Sequence, residues 1–172
     1  DAAGMSAASR AKRNDPSLEV VVLERSKDVS YSACGMPYNI ADPGREMEDL
    51  VVRHAEVFRD KQGIDMRLGH TAERIDRANK KVLGRHAEGE GFEIVYDKLL
   101  IATGANPIVP DVPGKDLGGV LVLKSLSDGR KLKNYLANHH VSNALIVGMG
   151  YIGMEMAEAF HERKIAVEMC DI

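Results

Sequence analysis

The sequence contains no tryptophan, and aromatic residues make up only 5% of its 172 residues. A core built with so few large rings must use Val, Ile, Leu, Ala and Met, a choice that suits the buried sheets of α/β proteins. Hydrophobic residues make up 44% of the chain and charged residues 28%. This composition is that of an ordinary globular protein rather than a disordered one.

Long apolar runs and a large excess of one charge are absent too. The apolar stretches 99–102 and 144–147 are far shorter than the ~20 residues of a membrane-spanning helix, and no basic-then-apolar leader precedes them. The 23 Lys and Arg residues are balanced by 26 Asp and Glu residues, and no long basic run offers a surface to nucleic acid. We therefore expect a cytoplasmic protein that binds neither a membrane nor nucleic acid.

Cysteine is scarce, since Cys34 and Cys170 are the only two. No CxxC pair or histidine cluster accompanies them, so the sequence predicts neither a disulfide framework nor a metal site. Cys170 falls inside a predicted strand and is interpreted as a small buried hydrophobic residue. Cys34 stands in the segment SYSACGMPYN, residues 30–39, where a helix is predicted to begin. A helix N-terminus would favour the thiolate form of Cys34, but a lone cysteine without further context is interpreted as a small buried hydrophobic residue.

The pattern of apolar residues predicts helices alternating with short strands. Helices are predicted at residues 1–13, 50–62, 125–138 and 154–163, buried strands at 19–23 and 97–102, and further strands just before Gly148 and at 166–170. Extended segments at 64–68, 71–75, 81–83 and 92–96 predict a small antiparallel sheet. A Pro- and Gly-rich stretch at 105–119 predicts a connection between two units.

The strongest motif is Gly148-x-Gly150-x-x-Gly153, which follows a predicted strand and opens an Ala-rich helix. In dinucleotide-binding units the first glycine makes a tight turn, the second lets a pyrophosphate approach, and the third permits close helix–strand packing. The phosphates then lie at the helix N-terminus. Asp171 ends the next strand, where a carboxylate accepts hydrogen bonds from ribose hydroxyls and favours NADH over NADPH. A glycine turn that binds no nucleotide is the alternative.

A related pattern opens the chain. Gly4 heads an Ala-rich helix, and Glu24 follows at the end of a strand. This spacing matches the last glycine and the acid of a second fingerprint, whose first two glycines would precede residue 1; an ordinary βα unit is the alternative. We expect residues 1–109 to form one nucleotide-binding domain, 110–142 a connection and helix, and 143–172 the start of a second domain. Two such units suggest electron transfer between two dinucleotides.

Together these motifs resemble the FAD-dependent pyridine nucleotide-disulfide oxidoreductases. The segments Ala2-Ala3-Gly4, Glu24, SYSACGMPY, Ala102-Thr103-Gly104 and GMGYIGMEMAEAF stand in that family's order and spacing. The resemblance implies two doubly wound, Rossmann-like domains as in glutathione reductase, both incomplete in this chain. FAD would be held by Gly4, Glu24, Ala102, Thr103 and Gly104. NADH (or NADPH) would be held by Gly148, Gly150, Tyr151, Ile152, Gly153, Glu155 and Asp171.

The closer resemblance is to the single-cysteine branch, which contains coenzyme A-disulfide, persulfide and polysulfide reductases and NADH oxidases and peroxidases. Val29 and Ser30 stand where a CxxxxC pair would place its other cysteine, so the resemblance implies that Cys34 works alone beside the flavin. The oxidases and peroxidases carry a histidine at the position of Ala2. Its absence, and the CG-[LIM]-PY form of the cysteine loop, favour a coenzyme A-linked or sulfane-sulfur substrate. An NADH oxidase or peroxidase, and a flavin-binding redox sensor without turnover, remain the alternatives.

The resemblance also implies contacts to coenzyme A. Ser30 and Arg53 match contact positions of the disulfide reductases, and Arg10 and Arg13 project from the first helix where basic side chains meet the adenosine phosphates. Solvated helix charges are the alternative for these two arginines. The family's C-terminal dimerisation domain lies outside this sequence, so we expect a longer, homodimeric chain.

Overall fold

The computed structural model describes residues 2–171, whose contacts divide into two compact units. The first unit comprises residues 2–31 and 52–104, and the second comprises residues 32–51 and 105–171. The helices are α1 Ala2–Asn14, α2 Met36–Ala41, α3 Ala55–Gln62, α4 Leu126–Asn138 and α5 Tyr151–Glu162. The strands are β1 Val21–Glu24, β2 Asp65–Leu68, β3 His70–Asp76, β4 Lys81–His86, β5 Gly91–Val95, β6 Asn143–Val147 and β7 Ala166–Cys170. The sequence predicts a different division of the chain, at residues 109 and 142, according to the nucleotide that each part is expected to bind. That division stays a prediction.

The first unit combines a parallel strand pair with a small antiparallel sheet. Strands β1 and β2 pair in parallel, with Val22 opposite Met66. Met5 from α1 and Phe58 from α3 are buried in the same core as Met66. Strands β3, β4 and β5 form an antiparallel sheet in that order, which confirms the small antiparallel sheet predicted from the sequence. The segment 64–68 was predicted to belong to it, but β2 pairs with β1 because Ile64 and Met66 are buried in the α1–α3 core.

The second unit contains a parallel pair with helices packed around it. Strands β6 and β7 pair in parallel in register, Asn143 with Ala166 through Val147 with Cys170. Helix α5 packs on both strands and also on α2, which in turn packs on α4. Ile40 and Leu126 are completely buried in this unit. At Gly129 an added Cβ would lie 2.8 Å from the Met47 sulfur, so α4 lies close to the segment after α2.

Helix α4 begins as its sequence predicts. Ser125 is its N-cap, and the Ser125 hydroxyl accepts a hydrogen bond from the backbone N–H of Asp128 at 3.2 Å. The Asp128 carboxylate accepts from the Ser125 backbone N–H at 2.8 Å, which completes a reciprocal cap.

Two predicted elements differ from the structure. Residues 97–102 form no strand, and Leu100 and Ile101 are exposed, because no neighbouring strand in the described residues supplies ladder hydrogen bonds. The helix predicted over 50–62 is shorter: a 3-10 turn ends at Leu50, and the chain is extended before α3 begins at Ala55. The backbone N–H of Val52 donates instead to the Ser30 carbonyl at 2.9 Å. None of the helices within residues 2–171 is long and apolar enough to cross a membrane.

Gly84 is the tightest point of the antiparallel sheet. A Cβ there would collide with the Thr71 carbonyl oxygen and lie 2.7 Å from the Phe92 ring. We predict that Gly84→Ala lowers the unfolding free energy by about 1–3 kcal/mol through overpacking. Gly91→Ala is the matched control, since its Cβ would meet only the Gly84 carbonyl oxygen, at 3.9 Å. Urea unfolding measures both variants, and equal midpoints would contradict the prediction.

Candidate functional site

The glycine loop after β6 has the geometry of a dinucleotide-binding turn. Gly148 has φ +110°, a backbone conformation that favours glycine. A Cβ on Gly150 would meet no atom within 4 Å, so this position is open. A Cβ on Gly153 would collide with the Gly148 carbonyl oxygen and lie 3.4 Å from Ile146 Cγ2. Gly148 thus makes a turn, Gly150 leaves room for a phosphate to approach the backbone, and Gly153 allows close contact between helix and loop. These are the three features of a pyrophosphate-binding loop.

Helix α5 begins directly after this loop. Gly150 is its N-cap and has extended backbone, and its carbonyl accepts the hydrogen bond of the Met154 N–H at 3.0 Å. The free N–H groups of a helix's first turn, together with its dipole, bind phosphate. The residues present therefore fit the diphosphate of NADH or NADPH. Tyr151 is 93% exposed and Ile152 58% exposed, and their predicted cofactor contacts stay predictions.

Asp171 is held next to the same loop by the strand ladder. The Gly148 N–H donates to the carbonyl oxygen of Cys170, the residue before Asp171, at 2.8 Å. The tertiary structure therefore brings the predicted acid and the first glycine of the fingerprint together. Cys170 itself is exposed, so its interpretation as a buried hydrophobic residue is wrong. It lies at the end of β7, where alternate side chains are not covered by α5.

The residues predicted to bind FAD lie in the first unit. A Cβ on Gly4 would lie 3.5 Å from Ala102 Cβ, so the first helix and the Ala-Thr-Gly segment are neighbours. This spacing is ordinary contact and tolerates a methyl group. Gly104 has φ +69° and open space around it. Thr103, between these two, is exposed.

Glu24 is held at the end of β1 by Ser26. One carboxylate oxygen accepts hydrogen bonds from the Ser26 backbone N–H at 2.9 Å and from its hydroxyl at 2.8 Å. The carboxylate is half-buried and its position is fixed. A fixed carboxylate at a strand end fits the role of binding a ribose, and the predicted contact of Glu24 with FAD stays a prediction. Sequence reasoning missed Ser26, although a serine two residues after the acid is a local signal that could have been read.

Cys34 lies in a 3-10 turn, Ala33–Gly35, rather than in the first turn of an α-helix. Helix α2 follows at once, with Pro37 in its first turn, where proline's missing N–H costs nothing. The turn is anchored because the Ser32 N–H donates to the Leu50 carbonyl at 2.8 Å and the Gly35 N–H donates to the Ser32 carbonyl at 3.1 Å. The Cys34 side chain is exposed. Its thiol is therefore accessible on a fixed turn.

Two of the predicted coenzyme A residues are brought together. The Ser30 carbonyl accepts hydrogen bonds from the Val52 N–H at 2.9 Å and from the Arg53 N–H at 3.3 Å. Ser30 is half-buried, and Arg53 is exposed. Arg10 and Arg13 are also exposed, on α1. Their proposed contact with adenosine phosphates stays a prediction.

Glu155 lies on the part of α5 that faces α2. A small cleft there is lined by Pro37 and Tyr38 from α2 and by Glu155 and Glu158 from α5. The helix after Cys34 therefore packs beside the helix that follows the glycine loop. This contact could not be read from the sequence, since the two helices are separated by more than a hundred residues.

The comparison with known proteins assigns the chain to a family. The pyridine nucleotide-disulphide oxidoreductase family matches residues 1–171, so the chain belongs to it. That family is one of oxidoreductases, and its match confirms the resemblance seen in the motifs.

Individual relatives show more than one activity by name. A CoA-dependent NAD(P)H sulfur oxidoreductase of Pyrococcus abyssi is 41% identical over 92% of this chain and 35% of its own length. An NADH oxidase of Methanocaldococcus jannaschii is 34% identical over 91% of this chain and 35% of its own. A solved NAD-dependent persulfide reductase from A. fulgidus has a TM-score of 0.92 at 34% identity, covering 99% of this chain and 32% of that one. The last match confirms the predicted α/β, Rossmann-like fold, and this chain spans about a third of the length of these relatives.

The second and third fingerprint glycines have separable roles. We predict that Gly150→Ala leaves the unfolding free energy within about 0.5 kcal/mol of the original protein, because its Cβ meets no protein atom. The same methyl group would fill the phosphate approach and weaken NADH binding about tenfold or more. Gly153→Ala should instead destabilise the protein by about 1–3 kcal/mol through its collision with Gly148.

Urea unfolding and NADH titration on both variants test this pair. The assignment of roles is wrong if Gly150→Ala unfolds as readily as Gly153→Ala, or if it binds NADH as tightly as the original protein.

Proposed function

We propose that the protein is a flavin-dependent NAD(P)H oxidoreductase that reduces a coenzyme A-linked disulfide, persulfide or polysulfide through Cys34. The observation that carries this proposal is an exposed, singly placed cysteine on a turn whose helix packs against the helix of the glycine loop. The Pyrococcus relative, which is named as a CoA-dependent sulfur oxidoreductase, supports the same substrate class.

Cys34 would act as the nucleophile. Its thiolate attacks one sulfur of the substrate, the sulfur–sulfur bond breaks, and one thiol or sulfide leaves while a mixed disulfide forms at Cys34. Two electrons and a proton then cleave the mixed disulfide, releasing the second thiol and restoring the Cys34 thiolate, as one NAD(P)H is oxidised. FAD, when bound, supplies the two-electron relay between the nicotinamide and the sulfur. Because Cys34 has no cysteine partner in its loop, the substrate itself provides the second sulfur.

The remaining residues would bind and orient. Gly4, Glu24, Ala102, Thr103 and Gly104 are proposed to hold FAD. Gly148, Gly150, Tyr151, Ile152, Gly153, Glu155 and Asp171 are proposed to hold NADH or NADPH. Arg10, Arg13, Arg53 and Ser30 are proposed to bind coenzyme A, because arginine side chains pair with phosphate oxygens in bidentate geometry. From the family resemblance we also propose a cytoplasmic homodimer.

An NADH oxidase is the second candidate, favoured by the Methanocaldococcus relative of that name. Ala2 is an argument against an NADH oxidase, because the family resemblance implies a histidine at this position in oxidases and alanine cannot act as an acid or a base. A redox sensor that is modified at Cys34 without turnover is the third. Substrate-dependent turnover separates all three.

We predict that Cys34→Ser abolishes anaerobic NADH consumption by the complete protein with coenzyme A disulfide, coenzyme A persulfide or polysulfide. A serine hydroxyl cannot form the mixed disulfide. Cys170→Ser is the matched control and should keep full activity, because it changes the only other thiol. If the original protein consumes NADH only when oxygen is admitted, it belongs to the oxidase class. If the original protein consumes no NADH under either condition, the sensor is favoured.

Asp171 should set the choice of nicotinamide cofactor. We predict that Asp171→Ala lowers kcat/KM for NADH about tenfold or more, because hydrogen bonds from the ribose to a charged acceptor are lost. The value for NADPH should fall less, since the repulsion between Asp171 and a 2′-phosphate disappears. Equal losses with both cofactors in steady-state kinetics would remove Asp171 from this role.

A further inference from the structure

The C-terminal end of α2 is held by a lysine from a distant helix. The Lys133 ammonium, on α4, donates to the backbone carbonyls of Asn39 at 2.8 Å and Asp42 at 2.8 Å, and to that of Arg45. It also reaches the side-chain oxygen of Asn39 at 3.1 Å. The last carbonyls of a helix have no partner within the helix, so a cation that donates to them both satisfies and neutralises that end.

Asn39 extends this network into the core. Asn39 is 1% exposed, and its side-chain amide nitrogen donates to the Glu46 carbonyl at 2.7 Å. The Asn39 oxygen meanwhile accepts from Lys133. A buried amide with both ends paired fixes its surroundings, because moving it would leave polar atoms unsatisfied. Helix α2 and the loop up to Glu46 are therefore fixed against α4.

A second cation holds the same end of α2. Arg163, the C-cap of α5, donates from Nη1 to the Ile40 carbonyl at 3.0 Å. Helix α5 thus has the glycine loop at its N-terminus and the Arg163 contact at its C-terminus. Ile40 is completely buried beside this contact.

The position of Cys34 depends on this end because the turn and the helix are continuous. The 3-10 turn Ala33–Gly35 runs directly into Met36–Ala41, and a six-residue helix is only about 9 Å long. The Cys34 thiol is exposed, and it forms no hydrogen bond with any of the described residues. Its orientation therefore depends on the backbone of its turn, which the Ser32–Leu50 hydrogen bond anchors on one side and helix α2 continues on the other.

We propose that Lys133, assisted by Arg163, is a positioning residue for Cys34: it fixes the far end of α2 so that the Cys34 turn keeps one orientation. The proposal rests on the function proposed above, in which Cys34 is the reacting group. Lysine suits the task because its compact ammonium donates in three directions, whereas the planar arginine fork does not converge on several carbonyls. Burial lowers the pKa of Lys133, and the nearby Glu46 carboxylate opposes that shift.

The test uses Lys133→Met in the complete, flavin-loaded protein. We expect kcat to fall about tenfold to a hundredfold, because small misplacements of a reacting group have effects of that size. The KM for NADH should stay within about twofold, since the glycine loop is untouched. Lys131→Met, an exposed lysine on the same helix, is the matched control and should keep the original kcat. Hydrogen exchange should accelerate about tenfold or more in residues 36–46 of Lys133→Met and not in β3–β5.

Lys133→Gln keeps two N–H donors and provides a milder second variant if the methionine variant does not fold; its kcat should fall in the same direction. An unchanged kcat in a folded Lys133 variant, or a loss equal to that of Lys131→Met, overturns the proposal. Cys34→Ser in the same assay separates the two hypotheses. If Cys34→Ser turns over normally, the proposed function fails, whereas the exchange rates of residues 36–46 still report on the contact itself.

Discussion

In the unit that contains the cysteine turn, the arrangement depends on how closely α5 approaches the loop after β6. The Gly148 carbonyl oxygen occupies the space in which any side chain on Gly153 would lie. Because Gly153 has only a hydrogen atom in place of a side chain, helix α5 packs directly on the parallel strand pair. Its first turn follows Gly150, where no protein atom fills the space beside the backbone. The direction of α5 then determines where α2 packs and where Arg163 reaches the Ile40 carbonyl. A single absent methyl group thus helps define both the nucleotide turn and the support of Cys34.

The chemistry proposed for this protein needs a thiol that is accessible but not mobile. Exposure of Cys34 lets a bulky disulfide approach, and the anchored 3-10 turn limits the directions from which the thiolate can attack it. Since the loop holds no second cysteine, each reduction must involve the substrate's own sulfur. In the proposed function, the exposed Arg10, Arg13 and Arg53 side chains supply the positive charge that binds the anionic coenzyme A, although the net charge of the chain is −3. Local charge, rather than overall charge, is what recognises such a ligand.

Much of the fold and of the glycine loop could be predicted from the sequence. The strand 166–170 was predicted with its observed bounds, a strand was predicted just before Gly148, and the helix predicted at 125–138 agrees with α4 to within one residue. The strand predicted at 97–102 failed because an apolar run becomes a strand only when a neighbouring strand pairs with it. The prediction of a helix from residue 50 was wrong for a related reason, because the Val52 backbone N–H donates to the Ser30 carbonyl instead of to a helix carbonyl. In both places the deciding partner is distant along the chain.

The sequence by itself determined the glycine turn, the acid after β7 and the solitary cysteine, because these depend on backbone freedom and side-chain chemistry within a few residues. Only the tertiary structure decided that Lys133 and Arg163 hold the end of α2, since these contacts join residues 94 and 123 positions apart. It also decided that the Ser30 carbonyl pairs with the Arg53 N–H. Hydrogen-bond donors such as lysine are common on helices, and which carbonyls they reach is set by how the helices pack.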